Sequence, residues 1–153
     1  MGADDYSRKL APSGAALENT MANKVKWSTA LELGVGEMDD AHRALLEMIN
    51  ALLDGSDSDI LQGMEPLVDM LERDFREEET QMEQVEYAGV RIHREQHARV
   101  LASLHRIPSD DVAAARAALI LLPQWFSLHL STFDSALAAA VARHAAGVEK
   151  LNA

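Results

Sequence analysis

Apolar residues recur at helical spacing in four stretches of the chain, and short breaks rich in glycine, proline and aspartate separate them. The first stretch places Met38, Ala41, Leu45, Met48, Ile49 and Leu52 on one face. It follows the breaks at Gly34 and Gly36, begins near Asp39, and ends at Asp54-Gly55. The second opens at Ser58-Asp59, a good start for a helix, and carries Met64, Leu67, Val68, Leu71, Phe75, Met82 and Val85. A turn at Tyr87-Ala88-Gly89 leads into a third stretch whose inward positions are His93, His97, Val100, Leu101 and Leu104, stopping near Ile107-Pro108. Ser109 or Asp110 then caps the fourth, with Leu119, Leu122, Phe126, His129, Phe133, Leu137 and Val141 inward. Pro123 falls inside that rhythm and is expected to kink or divide the helix.

Four amphipathic helices with short connections predict an all-α fold, an antiparallel up-down-up-down four-helix bundle. Residues 1–26 are mixed and aperiodic and read as an N-terminal arm. The bundle is expected over 27–146, with a tail at 147–153. The chain shows neither repeat nor second domain.

Composition supports helix over sheet: 48% of the 153 residues are hydrophobic, but only 5% are aromatic. The 25 acidic residues outnumber the 14 lysines and arginines, giving a formal net charge of −11. Such a chain repels phosphate backbones and anionic lipid, so nucleic acid and membrane surfaces are poor partners. Without cysteine it has no disulfide, thiolate metal site or cysteine nucleophile. No apolar run approaches the roughly 20 residues of a membrane span, and the acidic start offers no secretory signal. A soluble, cytoplasmic protein is expected.

The helical pattern also turns polar residues inward. His42 lies four residues after Met38, on the apolar face. Asp74 and Glu78 occupy positions of the second helix where apolar residues should stand, while Glu72, Arg73, Arg76, Glu77 and Glu83 can face water. His93, His97 and His129 are inward too, and Asp134 lies beside an inward line. Buried carboxylates cost several kcal/mol each unless compensated, and buried imidazoles need partners. A cation at the centre of the bundle would satisfy them all.

Each residue also has a plainer reading. A lone core histidine such as His42 is more often hydrogen-bonded structure than a ligand, and HxxxH, here His93 and His97, is common. On a regular helix His129 and Asp134, five apart, diverge too far to reach one centre unless it holds two ions. The whole set, not any member, carries the signal. His105 and His144 stay outside it, the methionines read as core filler, and the acids at 77, 79, 83 and 86 read as a solvated face paired with arginines. HREQH has its glutamate one place away from the HExxH order of zinc proteases, and the paired Glu-x-x-His of ferritin-like bundles is missing.

With these residues in place, the sequence resembles the hemerythrin family, specifically its bacterial members. LELGVGEMDDAHRALLEMIN is similar to the family's first-helix signature. DFREEETQM followed by EYAGVRIHREQH resembles its HF-x-x-EE-x-x-M and HxxxH segments, and WFSLHLSTFD its final tryptophan, histidine and aspartate. The resemblance runs from Trp27 to about His144. It implies an oxo- or hydroxo-bridged centre of two iron ions. By position, His93, His97 and His129 would bind the first iron, Glu78 and Asp134 would bridge, and His42 would bind the second, where dioxygen binds.

One ligand departs from the pattern. Four residues before the bridging glutamate the family has a histidine, and this chain has Asp74. Asp74 could bind the second iron directly, bind through water, or leave it under-coordinated. The extra negative charge favours the ferric state. A proline expected after Tyr87 is also missing. The expected function is oxygen binding, for carriage, storage or sensing. Two alternatives remain: an oxidase-, peroxidase- or redox-sensing protein acting on dioxygen or peroxide because of Asp74, and a structural or metal-handling bundle.

Overall fold

The computed structural model of the protein describes residues 24–151. Most of the expected N-terminal arm therefore lies outside the described residues. The part that is described, from Lys24, runs without regular secondary structure to a single 3-10 turn at Thr29–Leu31, and Val25, Trp27, Leu31 and Leu33 pack against the bundle. The Arg43 guanidinium covers the Trp27 ring at 5.4 Å.

The bundle is built from α1 (Gly36–Asp54), α2 (Asp57–Gln84), α3 (Val90–His105), α4 (Val112–His129) and α5 (Ser135–Leu151). A π-helical turn, Leu130–Asp134, joins α4 to α5 without a change of direction, so the two form one long fourth rod. The connections between the four rods are short, as an antiparallel bundle requires. Helix α1 packs on α2 and α4, and α2 also packs on α3 and on both parts of the fourth rod.

The helix ends show which sequence signals act. Ser56 caps α2 in a reciprocal box with Asp59: the Ser56 hydroxyl accepts from the Asp59 backbone, and the Asp59 carboxylate accepts from the Ser56 backbone at 2.8 Å. The start thus falls two residues before the expected Ser58. Asp39, expected near the start of α1, does not cap it. Its carboxylate accepts from the backbone of Leu33 at 2.7 Å and of Gly34 at 3.0 Å, tying the preceding turn to the helix. At the far end of α2 the chain turns through Glu86, which has φ +51, and Tyr87 N–H bonds back to Met82 O at 2.8 Å. This is the left-handed stop that glycine usually supplies.

Pro123 does not divide the fourth rod; α4 runs through it to His129, and the irregular stretch comes seven residues later. The hydroxyls of Thr132 and Ser131 both donate to Leu128 O, at 2.7 and 3.1 Å, and Ser135 donates to Ser131 O at 2.8 Å. Side-chain hydroxyls thereby supply donors to carbonyls in a stretch where the regular α-helical ladder is interrupted.

The core has two parts. The larger, including Leu45, Leu67, Leu71, Phe75, Leu119, Phe126 and Leu130, fills most of the bundle. The smaller consists of Met38, Met82, Leu137 and Ala138. Val100, Leu101, Phe133 and Val141, expected inward, are only partly buried. A layer of polar side chains lies between these two apolar clusters along the helices.

Candidate metal centre

All seven residues singled out from the pattern lie in that layer, and all are buried: His42, Asp74, Glu78, His93, His97, His129 and Asp134. His42 comes from α1, Asp74 and Glu78 from successive turns of α2, and His93 and His97 from successive turns of α3. His129 ends α4 and Asp134 ends the π turn. His105 and His144 are exposed, His105 holding Glu72 at 2.7 Å.

The side chains form two groups. Ligand atoms of Glu78, His93, His97, His129 and Asp134 lie within 4.8 Å of one another, and so do those of His42, Asp74 and Glu78. In the larger group His129 Nε2 lies 3.1 Å from His93 Nε2 and 3.2 Å from His97 Nε2. A cation bonding to nitrogen at about 2.1 Å holds right-angled ligands about 3.0 Å apart. His129 Nε2 thus stands from each of the other two ring nitrogens at the spacing of neighbours around one ion.

Glu78 and Asp134 connect the groups. Glu78 turns Oε1 to His42 Nε2 at 3.0 Å and Oε2 to His97 Nε2 at 3.1 Å. Asp134 turns Oδ2 to His42 Nε2 at 3.4 Å and Oδ1 to His93 Nε2 at 2.9 Å. Each carboxylate therefore shows one oxygen to each group, the arrangement of a bridge. Asp74 Oδ2 stands 3.7 Å from His42 Nε2, beyond hydrogen-bond reach.

The expectation that His129 and Asp134 diverge is corrected by the π turn. On a regular α-helix residues five apart are turned by about 140° from one another. The wider π turn absorbs the extra residue, and His129 Nε2 and Asp134 Oδ1 meet at 3.1 Å.

Aromatic rings wall the site. Phe75 stacks on His97 with centroids 3.8 Å apart and planes at 4°. Trp125 and Phe133, one α-helical turn before His129 and four residues after it, both lie nearly parallel to its ring. Phe126 meets His42 edge-on at 5.5 Å. In this dry setting charges interact strongly. Burial works against a charge on His42, but its hydrogen bond to Glu78 and the charges of Asp74 and Asp134 outweigh it and raise the imidazole to about 8. Burial, followed by the Glu78 charge, pushes Asp74 up to about 8. Burial also opposes ionisation of Asp134, yet the His129 and His93 rings beside it hold its carboxyl well below the usual range.

The donor set fits metal. Glu78 Oε2, Asp74 Oδ2 and both Asp134 oxygens are buried and accept no well-directed hydrogen bond among the described residues, which leaves lone pairs that a cation would satisfy together. Imidazoles and carboxylates together suit a borderline or hard transition-metal ion.

One side chain departs from the expectation. Glu79, expected on the solvated face, bonds its Oε1 to His97 Nδ1 at 3.2 Å and its Oε2 to Arg94 Nε at 3.0 Å. Its arginine partner comes from another helix, not from an i,i+4 pair. Its place four residues after the inward Phe75 sets it at the edge of the inward face, where spacing alone does not separate it from a solvated acid.

No family model matches the chain. Nor does any solved structure. Among curated proteins it is similar to a bacteriohemerythrin of Ralstonia nicotianae, 32% identical over 114 residues that cover 72% of this chain and 83% of that protein. A bacteriohemerythrin of Methylococcus capsulatus is 34% identical over 79 residues, covering 48% of this chain and 60% of the relative. A hemerythrin from Sipunculus nudus is 29% identical over 112 residues, covering 71% and 86%. By the extent of the first of these matches, and with the buried histidine–carboxylate layer behind it, the chain belongs to the hemerythrin family.

Proposed function

We propose that the chain holds two iron ions in its polar layer and binds dioxygen there, in oxygen carriage, storage or sensing. Family membership supports non-haem iron, and the two groups of donors sharing Glu78 support a count of two. On this reading His93, His97 and His129 would hold the first ion, His42 and Asp74 the second, and Glu78 and Asp134 would be shared between them. Bound iron would supply the electrons and the coordination site that dioxygen binding needs. The observation that carries the reading is the pair of carboxylates, each turned to both groups.

The protein's own groups set the conditions. Phe75, Trp125, Phe126 and Phe133 keep bulk water from the rings they cover. Three buried carboxylates offset the charge of the cations, and four imidazoles supply neutral donors. Asp74 adds a carboxylic side chain beside His42, so a second ion there would meet a more negative field than a histidine would give.

That charge also favours a second reading, in which the reduced centre oxidises readily and the protein serves in redox sensing or in oxidase- or peroxidase-like chemistry with dioxygen or peroxide. One experiment separates them. The protein is loaded anaerobically with ferrous iron, bound iron is counted, and oxygen is admitted while the visible spectrum is followed. Oxygen binding predicts two irons per chain and a new band that disappears when oxygen is withdrawn. Irreversible passage to a ferric spectrum selects the second reading, and failure to retain two irons overturns both.

A further inference from the structure

The four buried imidazoles are not held alike. Among the described residues, Nδ1 of His42 and Nδ1 of His93 are buried without a hydrogen-bond partner, whereas Nδ1 of His97 meets the Glu79 carboxylate at 3.2 Å. Glu79 is fixed in turn. Its second oxygen accepts from Arg94 Nε at 3.0 Å, and Arg94 reaches onward to Glu83. The chain of contacts begins at a histidine side chain only 2% exposed and ends at surface groups, Glu79 being 29% and Glu83 65% exposed.

Two constraints act on the His97 ring. The Phe75 ring, parallel to it at 3.8 Å, sets its plane. A carboxylate can only accept, so the contact with Glu79 is a hydrogen bond when Nδ1 carries the proton. Nε2 is then left bare, and it faces Glu78 Oε2 at 3.1 Å and His129 Nε2 at 3.2 Å, toward the centre of the larger group. Arg94 keeps Glu79 from turning into solvent. Neither function survives in a glutamine at 79 without a compromise. Its amide has one accepting end, so either His97 or Arg94 must lose its acceptor.

We infer that Glu79, clamped by Arg94, is a positioning residue that fixes His97 in the Nδ1-protonated tautomer and presents Nε2 as a lone-pair donor. The inference rests on the reading of His97 as a metal ligand. It assigns to a partly exposed acid the work of raising ligand basicity and holding ring orientation, as outer partners of metal-bound histidines do.

Long-range proton–nitrogen NMR on the metal-free full chain reads the tautomer directly, with the His97 signal assigned through His97→Gln. The expected spectrum shows a protonated Nδ1 and a bare Nε2. Glu79→Ala should mix or invert the two nitrogens, and should speed release of ferrous iron to a chelator by about 10- to 100-fold. Glu79→Gln should be intermediate. The double variant Glu79→Gln/Arg94→Met, which frees the amide carbonyl for His97, should return the spectrum toward that of the parent. An Nε2-protonated His97 in the parent chain overturns the inference, as does an unchanged His97 spectrum in a folded Glu79→Ala protein. Parent protein that takes up no iron would defeat the metal-ligand reading, whereas the NMR result separately decides the role of Glu79.

Discussion

With a cation in the layer to displace its proton, Asp74 is a carboxylate, and replacing it by histidine then removes one negative charge from the side of the layer that contains His42. Asp74 Oδ2 stands 3.7 Å from His42 Nε2, and its ligand atom belongs to a group no wider than 4.8 Å. A cation held by His42 and Glu78 would therefore lie within about 4 Å of the Asp74 charge. At that distance, with an effective dielectric constant of about 20, a unit charge contributes about 4 kcal/mol. At 59 mV per tenfold change in a one-electron equilibrium this corresponds to a rise of about 170 mV in midpoint potential. Asp74→Asn, which keeps the size and removes the charge, should move the potential in the same direction. Anaerobic spectroelectrochemical titration of the iron-loaded proteins measures all three values. The same loss of charge should lengthen the life of the oxygen-bound protein in Asp74→His. Potentials that agree within about 30 mV, or a lower potential in both variants, would show that Asp74 exerts no charge on the ion, and the reasoning would fall.

In the metal-free protein, stability should decline from pH 5 to 8.5. Asp74 and His42 both have folded values raised to about 8, so the folded state holds protons that the unfolded chain releases at lower pH. The Asp74 contribution is lost as pH rises from about 4 to 8 and the His42 contribution between about 6.5 and 8, each at no more than about 1.4 kcal/mol per pH unit. Urea melts across this range test the slope, and Asp74→Asn should flatten it. Asp134, whose folded value is lowered, acts oppositely, and its contribution disappears as pH falls below about 4. Glu86→Gly should stabilise the fold by about 1 kcal/mol, because glycine takes the positive φ without strain; a lower urea midpoint would contradict this. Leu71→Ala, at a fully buried position, should cost about 2–5 kcal/mol by the same assay, and a loss under 1 kcal/mol would mean the site collapses around the gap.

The four rods and the inward positions of His42, Asp74, Glu78, His93, His97 and His129 were legible because helical periodicity is a local property, repeated over many residues; Asp134 fell only beside an inward line. Asp74 and Glu78 stood out because they interrupted a run of apolar positions that Leu71, Phe75 and Met82 otherwise maintain. What was less legible depended on contacts from other helices or on local departures from the α-helix. Pro123 drew attention as a breaker, yet the departure is a π turn accompanied by the hydroxyls of Ser131, Thr132 and Ser135, a much weaker signal. The same turn decides whether His129 and Asp134 share a centre, which spacing on an ideal helix could not show. Glu79 sits one residue from the inward line, where periodicity cannot separate a solvated acid from one that reaches back under the edge. Only the position of Arg94 and His97 on α3 decides it.

The division of the apolar interior has a consequence for cooperativity. The end built on Met38, Met82, Leu137 and Ala138 communicates with the larger cluster across a stratum of buried polar side chains, several of whose oxygens lack a hydrogen-bond partner among the described residues. When that stratum is cross-linked by ions, the two ends are expected to open together as one unit. Without ions, the smaller end has few apolar contacts of its own and should become a separate, less stable foldon. Amide protons near Leu137 would then exchange well before those near Leu71 in the metal-free chain, and the gap would narrow on loading. The metal would act as the rivet that makes one folding unit out of two.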